Sequence, residues 1–179
     1  MENDILNVLI SEEELAKKVQ EIGAQISKDY EGKNLMMVSV LKGSVVFMAD
    51  LMCAVTVPAE IDFMSVSSYG SGAKTSGVVK IIKDLDIELA GRDLLIVEDI
   101  LDSGLTLSYI KKILMERGPR SIKICTLLDK PERRKADIFA DYSGFEVPDE
   151  FVVGYGLDFA EKYRNLPYIG VLKPSVYEK

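Results

Sequence analysis

The chain has 179 residues, of which 47% are hydrophobic and 28% are charged, a composition typical of one globular domain. There are 22 Lys and Arg against 29 Asp and Glu, and the net charge of −7 argues against nucleic acid or an anionic membrane as partners. The sequence has no histidine, which excludes Ser-His, Cys-His and His-metal mechanisms. Any proton transfer must therefore use carboxylate, lysine, tyrosine, cysteine or bound water.

The cysteines and the N-terminus bear on the cellular compartment. Cys53 and Cys125 are each flanked by apolar residues, which predicts that both are small buried hydrophobic side chains. Two isolated thiols fit a reducing compartment. The acidic start, MENDIL, lacks the basic segment of a signal peptide, and the longest apolar stretch, 45–55, is too short to span a bilayer. We therefore expect a cytoplasmic protein with no membrane partner.

The N-terminal part of the chain predicts a helix, a strand and a second helix. Ser11 and Glu14 form a capping box before an amphipathic helix that ends near Gly32. The nearly all-apolar run 35–41 predicts a strand buried on both faces. An apolar helix follows and must stop before Pro58.

The remaining elements continue this alternation. Further strands are predicted at 60–69, 78–82, 93–100, 121–129, 151–156 and 168–172. A helix with Leu107, Ile110 and Leu114 on one side follows the third of these strands and stops at Gly118. Strands separated by helices predict an α/β fold with a mostly parallel sheet, whose functional edge lies at the carboxyl ends of the strands. We find no internal repeat and no long linker, so residues 1–179 are predicted to form one domain.

Two common nucleotide-binding motifs are absent. Gly70, Gly72 and Gly77 suggest a dinucleotide fingerprint, but position 75 is Thr where that motif needs Gly, and a strand rather than a helix follows. The chain also contains no GxxxxGK[ST] segment, which excludes a P-loop for nucleoside triphosphates.

The segment 94–106, LLIVEDILDSGLT, carries the chemistry. Four apolar residues end a buried strand, Glu98 and Asp99 follow, and Asp102 leads through Ser103 into a helix. Such a helix start offers N–H and hydroxyl donors to an anion, although N-capping by Asp102 or Ser103 with nothing bound is an alternative. With the acids upstream, the arrangement fits a ligand that carries phosphate at one end and hydroxyl groups or Mg²⁺ at the other. A sugar phosphate has this chemistry.

Residues 94–106 resemble, at every position, the phosphoribosyl-diphosphate signature of the type I phosphoribosyltransferases. The segments 41–44, 67–70, 127–130 and 151–170 are similar to the members that act on hypoxanthine and guanine, in the same order. This resemblance implies the type I phosphoribosyltransferase fold, a mostly parallel central sheet flanked by helices. It also implies a small C-terminal hood formed largely by about 128–170, and a flexible lid loop at 70–77.

The resemblance implies a purine salvage reaction. The 5-phosphoribosyl group of phosphoribosyl diphosphate would be transferred to a 6-oxopurine, hypoxanthine and/or guanine, which gives IMP or GMP and releases diphosphate. Mg²⁺ is the implied cofactor, and the implied assembly is a homodimer or homotetramer. Because the sugar becomes cationic during transfer, such catalysis should rest mostly on electrostatic positioning.

The resemblance also implies roles for the residues of the signature. Glu98 and Asp99 would hold the ribose hydroxyls, directly or through Mg²⁺, because carboxylates accept hydrogen bonds and bind hard cations. Asp102 would be the general base near purine N7. The loop that would wrap the 5′-phosphate, called here the phosphate loop, consists of Asp102, Ser103, Gly104, Leu105 and Thr106.

Base recognition is implied at three further positions. Lys130 would donate to the purine O6, and because lysine has only donors it would oppose the amino group of adenine. Phe151 would stack on the base, and the backbone of Val152 would read its edge. The rest of the charge run that Lys130 opens, residues 131–135, is predicted to be a solvated loop.

The resemblance also implies residues that bind diphosphate and a second metal ion. Asp158 would bind a second Mg²⁺ through water, and Arg164 would grip the diphosphate with its fork of donors. Lys42 and Gly43 would form the other wall, and the family often carries a cis peptide bond between Leu41 and Lys42.

Ser68 and Tyr69 would lead into the lid loop, whose closure would exclude water from the reacting sugar. A flexible hairpin tip is the alternative for this loop.

Two other functions share features of this sequence. A phosphoribosyl-diphosphate-binding regulator on the same fold generally needs a basic face for nucleic acid and can lose the hood. The negative net charge and the presence of Lys130, Phe151, Asp158 and Arg164 argue against it. A xanthine-preferring enzyme remains open, because that choice depends on groups around C2 of the base, near 152–158.

Overall fold

A computed structural model describes residues 1–68 and 79–178. In these ranges the α-helices are α1 (Glu12–Asp29), α2 (Val45–Ala54), α3 (Leu105–Met115) and α4 (Pro174–Tyr177). The strands are β1 (Ile5–Ile10), β2 (Leu35–Leu41), β3 (Ala59–Ser68), β4 (Val79–Lys83), β5 (Asp93–Leu101), β6 (Ser121–Asp129), β7 (Tyr142–Glu146), β8 (Val152–Val153) and β9 (Ile169–Leu172). Short 3₁₀ turns lie at Glu2–Asp4 and Pro131–Arg133.

Two sheets organise the molecule. The central sheet has the order β4-β3-β2-β5-β6-β7, and its neighbours are parallel except for the antiparallel pair of β3 and β4. A small sheet has the order β1-β9-β8 and is antiparallel. The predicted α/β fold with a mostly parallel central sheet is confirmed.

Both faces of the central sheet are covered, which explains the unbroken apolar run in β2. Leu35 and Met37 join the core formed with α1 and α2, whereas Met36 and Val38 join the core formed with α3. All four side chains are buried. A strand with helices on both faces has no outward polar position, so its sequence does not alternate.

The start of α1 is held as the sequence predicts. The Ser11 hydroxyl accepts from the Glu14 N–H at 3.2 Å, and the Glu14 carboxylate accepts from the Ser11 N–H at 2.8 Å. These reciprocal bonds form a capping box, which fixes the entry of the helix. Within the described ranges, no helix combines the length and apolar character that crossing a membrane requires.

The following features differ from the sequence predictions. The pattern predicts none of β1, β7 and α4, and β1 carries Leu6 and Val8 as exposed apolar side chains. The predicted strand 151–156 shortens to β8, because residues 154–156 all adopt positive φ angles and leave the extended conformation. Cys125 is buried as expected, but the prediction for Cys53 is wrong, since it lies on the exposed side of α2.

Candidate active site

The site lies where β5 and β6 end. Leu101 of β5 pairs with Asp129 of β6, and the N–H of Lys130 donates to the Leu101 carbonyl at 3.0 Å. The carboxyl ends of parallel strands open onto one edge of a sheet, the usual place for a ligand site in α/β folds. The carboxylates of the signature and the start of the charge run are therefore neighbours.

Two cavities adjoin at this edge. The first, of about 330 Å³, is lined on one side by Lys130, Phe151 and Val152. The second, of about 350 Å³, is lined by Glu98 and by Ser103, Gly104 and Thr106 of the phosphate loop. Ile100 and Asp102 line both cavities. The sequence gives no sign that Ile100 lines the site, because the signature marks its position only as hydrophobic.

The phosphate loop leaves a helix start without a side-chain cap. Gly104 occupies the N-cap position of α3 with φ +76° and provides no capping group. The Ser103 hydroxyl accepts a long hydrogen bond from the Leu105 N–H, at 3.4 Å. A Cβ added to Gly104 would lie 2.5 Å from Cγ2 of Ile138, so this tight turn requires glycine. The second cavity is therefore bounded by a helix N-terminus, a favourable place for an anion.

Glu98 and Asp99 are half-buried carboxylates at the end of β5. Burial, and then the neighbouring Asp99, raises the pKa of Glu98 well above its ordinary value. Burial also raises the pKa of Asp99 to about 6, against the hydrogen bond that it accepts from the Ile100 N–H at 2.8 Å. Such acids are prepared to receive a cation or hydroxyl donors, since either would stabilise their charge.

Glycines bring the loop after β2 into contact with these acids. The Leu41–Lys42 peptide bond is cis. A Cβ added to Gly43 would lie 1.8 Å from Oδ2 of Asp99, and one added to Gly156 would lie 2.1 Å from the Gly43 carbonyl oxygen. Gly156, with φ +102°, therefore requires glycine, and a side chain at Gly43 would displace the Asp99 carboxylate, so backbone lies directly against that carboxylate.

Charged side chains border the same loop. Arg164 donates to the Gly156 carbonyl at 2.8 Å and pairs with Oδ1 of Asp158 at 2.9 Å. Nζ of Lys42, on an exposed side chain, lies 3.1 Å from Oε2 of Glu161. Lys42 and Arg164 are far apart in sequence, but the structure brings both to this loop and holds each of them against a carboxylate.

The first cavity has one buried cation and one exposed aromatic ring. Lys130 is 5% exposed, and its Nζ donates to the Glu150 carbonyl at 2.6 Å. Burial lowers the pKa of Lys130, while the charge of Asp102 opposes that shift. Phe151 is 37% exposed, whereas Val152 is buried.

One prediction for the charge run is wrong, because Arg134 is not solvated. Its side chain is only 11% exposed and pairs with Asp129. Nε donates to the Asp102 carbonyl at 3.0 Å, and the Nη atoms donate to the carbonyls of Ile138 at 2.6 Å and Leu101 at 3.3 Å. Arg134 thus ties the phosphate loop to the end of β6.

Arg133 also reaches the site, from a half-exposed position. Its Nε lies 3.1 Å from Oδ1 of Asp102, and its Nη1 lies 3.2 Å from Oδ1 of Asp149. Lys135 is exposed, as predicted.

Two predicted positions are described incompletely. Ser68 is the last residue of β3. Tyr69 and the predicted lid at 70–77 lie outside the described residues.

The metal prediction can be tested against the donor set. In residues 1–68 and 79–178, no three His, Cys, Asp or Glu side chains form a ready-made metal cluster. Glu98 and Asp99 lie on β5, whereas Asp158 lies against Arg164. These oxygen donors fit Mg²⁺, which binds one or two carboxylates and keeps water or substrate oxygens as its other ligands.

Comparison with known proteins places this site in a family. Residues 9–160 match the family model described as a phosphoribosyl transferase domain. The chain is 62% identical over 178 residues to the hypoxanthine-guanine phosphoribosyltransferase of Bacillus subtilis, and the match covers 99% of each. The structure resembles a hypoxanthine phosphoribosyltransferase from Staphylococcus aureus with a TM-score of 0.98 and 54% identity, over 100% of this chain and 97% of that one. A hypoxanthine-guanine phosphoribosyltransferase from Bacillus anthracis is similar with a TM-score of 0.91 and 52% identity, over 94% and 99% of the two chains. The chain therefore belongs to the phosphoribosyltransferase family.

Proposed function

We propose that this chain transfers the 5-phosphoribosyl group of phosphoribosyl diphosphate to hypoxanthine and guanine, giving IMP or GMP and diphosphate. The observation that carries the proposal is the pair of adjoining cavities that share Asp102. One is bounded by a helix start and a carboxylate, and the other by a buried lysine and an aromatic ring. A sugar phosphate and a flat base match these two linings.

The second cavity is assigned to the sugar and its 5′-phosphate. The phosphate would accept from the N–H groups and hydroxyls of the phosphate loop, because α3 begins there without a side-chain cap. Glu98 and Asp99 would accept from the 2′- and 3′-hydroxyls. Lys42, Gly43 and Arg164 would face the diphosphate, whose charge would compete for the cations now paired with Glu161 and Asp158.

The first cavity is assigned to the base. Phe151 offers an exposed ring for stacking. Nζ of Lys130 would donate to O6, and an amino group at the same position would face a donor, which disfavours adenine. The backbone of Val152 would read the edge of the base, since its side chain is buried in the core.

Asp102 is assigned to proton transfer, because it lies between the two cavities. N9 of the base forms the bond to C1′ while the bond from C1′ to diphosphate breaks, and the leaving group takes the electron pair. The carboxylate of Asp102 would accept the proton that N7 of the base gives up. The acids on β5 would stabilise the positive charge that develops on the sugar.

A divalent cation completes the assignment. Mg²⁺ would be held by Glu98 and Asp99, directly or through the ribose hydroxyls, and a second Mg²⁺ by Asp158 through water. When bound, it would neutralise the diphosphate and ease its departure.

The resemblance supports the proposed assembly, and the cysteines bear on the proposed compartment. We place the enzyme in the cytoplasm, as a homodimer or homotetramer in which each chain is one phosphoribosyltransferase domain with a hood. The two free cysteines, Cys53 and Cys125, are compatible with a reducing compartment.

A base-panel assay tests the function. Purified protein with phosphoribosyl diphosphate and Mg²⁺ would be offered hypoxanthine, guanine, xanthine or adenine, and diphosphate release would be followed. We expect turnover with hypoxanthine and guanine and none with adenine. Higher kcat/KM for xanthine than for both would establish a xanthine-preferring enzyme, and no release with any base would contradict the proposal.

A further inference from the structure

The first cavity has an aromatic wall that lies outside the residues assigned above. Tyr177, the last residue of α4, lines this cavity together with Phe151. Their ring centroids are 4.8 Å apart and the rings are inclined by 24°, a stacked arrangement. The ring centroids of Phe159 and Phe151 are 5.6 Å apart and their planes are perpendicular. Two aromatic neighbours therefore fix the plane of the ring that is assigned to base stacking.

The backbone holds α4 in register with Phe151. The Leu172 N–H donates to the Phe151 carbonyl at 2.8 Å, immediately before the short segment that leads into α4. Lys173 is held by two bonds, from its N–H to the Asp4 carbonyl at 2.9 Å and from its Nζ to the Asn3 carbonyl at 2.6 Å. Tyr177 follows four residues later and packs, half-buried, against the small cluster of Val153, Tyr163, Leu166 and Leu172. Its position is therefore set by the fold.

Fixing the Phe151 ring has a consequence for binding. Phe151 is 37% exposed, so its ring would have rotational freedom without its neighbours. A base that stacks on a ring already held in one plane loses less side-chain entropy on binding. Stacked aromatic pairs also contribute a favourable free energy beyond that of the apolar area that they bury.

We propose that Tyr177 is a positioning residue for the base, whose ring backs Phe151 and closes one wall of the base cavity. This role rests on the proposed function. It assigns part of the recognition of the base to the four-residue helix α4. The aromatic ring carries the role and the phenolic hydroxyl is dispensable, because stacking involves the ring face.

The test compares Tyr177→Ala and Tyr177→Leu with Tyr177→Phe, and Val176→Ala serves as the matched control. Val176 belongs to α4 and packs against the same cluster, but it does not line the cavity. Steady-state assays would give kcat and the KM values for hypoxanthine, guanine and phosphoribosyl diphosphate, and the Tm would report folding.

We expect Tyr177→Ala and Tyr177→Leu to raise the KM for both bases about three- to tenfold. This change corresponds to the free energy that one stacked aromatic pair contributes. The KM for phosphoribosyl diphosphate and the kcat should stay within about twofold, and Tyr177→Phe and Val176→Ala should resemble the unaltered chain.

Four results would overturn the role. An unchanged KM for the bases would remove Tyr177 from the site, and a lowered KM would mean that its ring occupies the place of the base. A parallel rise in the KM for phosphoribosyl diphosphate, or the same rise in Val176→Ala, would reduce the effect to folding. If the unaltered chain is inactive on every base, the proposed function fails, which is distinct from an active enzyme that is indifferent to residue 177.

Discussion

Asp102 and Ile100 line both cavities, and of these two residues only Asp102 can exchange a proton. Its backbone carbonyl is fixed by Arg134, and its carboxylate lies 3.1 Å from Nε of Arg133. The backbone and the side chain therefore have separate contacts. A change confined to the carboxylate can leave the loop in place.

Asp102→Asn should lower kcat by about 100-fold or more, because an amide cannot accept the proton that general-base catalysis removes. The KM for phosphoribosyl diphosphate should stay within about twofold, since the loop and its bond to Arg134 are kept. Steady-state kinetics with hypoxanthine measure both. Asp137→Asn, on the exposed part of the neighbouring loop, is the control. An unchanged kcat in Asp102→Asn would exclude the base role.

The role of a side chain was predictable where a motif specifies it, and it was not predictable where the role depends on whether the fold buries that side chain. Asp102 stands within a specific pattern, so its place at the site could be anticipated. Arg134 belongs to a charge run in which sequence gives no sign of which side chain turns inward, and only the fold brings carbonyls to three of its donors. Tyr177 carries no motif at all, and its contact with Phe151 depends on the pairing of β8 with β9.

Among the elements, the junction of β5 and α3 depends on a single glycine. Gly104 has φ +76° and lies against Ile138, whereas Gly118, three residues after the end of α3, has φ +74° and no neighbour within 4 Å of an added Cβ. Alanine at either position would bear the same left-handed strain. Only at Gly104 would it also collide with the core behind the phosphate loop.

Gly104→Ala should therefore raise the KM for phosphoribosyl diphosphate at least about tenfold, since small displacements of positioning groups are costly. Gly118→Ala should leave that KM within about twofold, although both variants should lose about 1 kcal/mol of stability from strain. Kinetics together with urea unfolding separate the two effects. Equal KM values in the two variants would contradict a specific role for the turn.

Arg134 links two elements, because it binds carbonyls at the end of β5 and the Asp129 carboxylate at the end of β6. Arg134→Lys keeps the charge but loses the planar fork. We expect a loss of about 1–3 kcal/mol in the free energy of unfolding and a severalfold higher KM for phosphoribosyl diphosphate.

Arg117→Lys is the matched control for Arg134→Lys. Arg117 contacts the half-exposed Asp84 at 2.7 and 2.9 Å, and exposed pairs contribute less than about 1 kcal/mol. Urea unfolding of both variants provides the comparison. Similar losses in the two would show that the network at Arg134 has no special importance.

Helix α1 was predictable because its helical periodicity is clear. Strand β2 was predictable because a short, unbroken apolar run is typical of a strand buried on both faces. The sequence of β1, ILNVLI, places apolar side chains outward as well as inward. Neither the two-residue period of a strand nor the 3.6-residue period of a helix is therefore visible in it, and the strand was not predicted. Strand β8 was predicted too long, because valine and tyrosine favour strands while the positive φ of Tyr155 is set by its surroundings.

For the molecule as a whole, a buried carboxylate paired with a more exposed arginine at the opposite end of β5 couples stability to pH. Asp93 is buried and accepts from Nε of Arg120 at 3.1 Å and from the Ser121 hydroxyl at 2.8 Å. The hydrogen bonds from Arg120 lower the pKa of Asp93 from 3.8 to about 2. A carboxyl group with a lowered folded-state pKa stabilises the fold above its ordinary pKa, and this contribution is lost as the pH falls from about 4 to 2.

Asp93→Asn should thus lower the free energy of unfolding at pH 7 by about 1 kcal/mol more than at pH 2.5, a value kept small because Arg120 is 57% exposed. Urea unfolding at the two pH values measures the difference. Asp84→Asn, which removes the more exposed pair with Arg117, should show a smaller dependence on pH. A penalty that is equal at both pH values would mean that Asp93 stabilises the fold by packing rather than by charge.

The pairing of β1 with β9 has a consequence for how the protein is made. Residues 5–10 leave the ribosome long before their partner strand, which comprises residues 169–172. A nascent chain that has reached residue 150 already contains every strand of the central sheet, but the wall of Phe151 and Tyr177 has not been synthesised. The cavity assigned to the base is thus completed during translation only after the strands that carry the cavity assigned to the sugar.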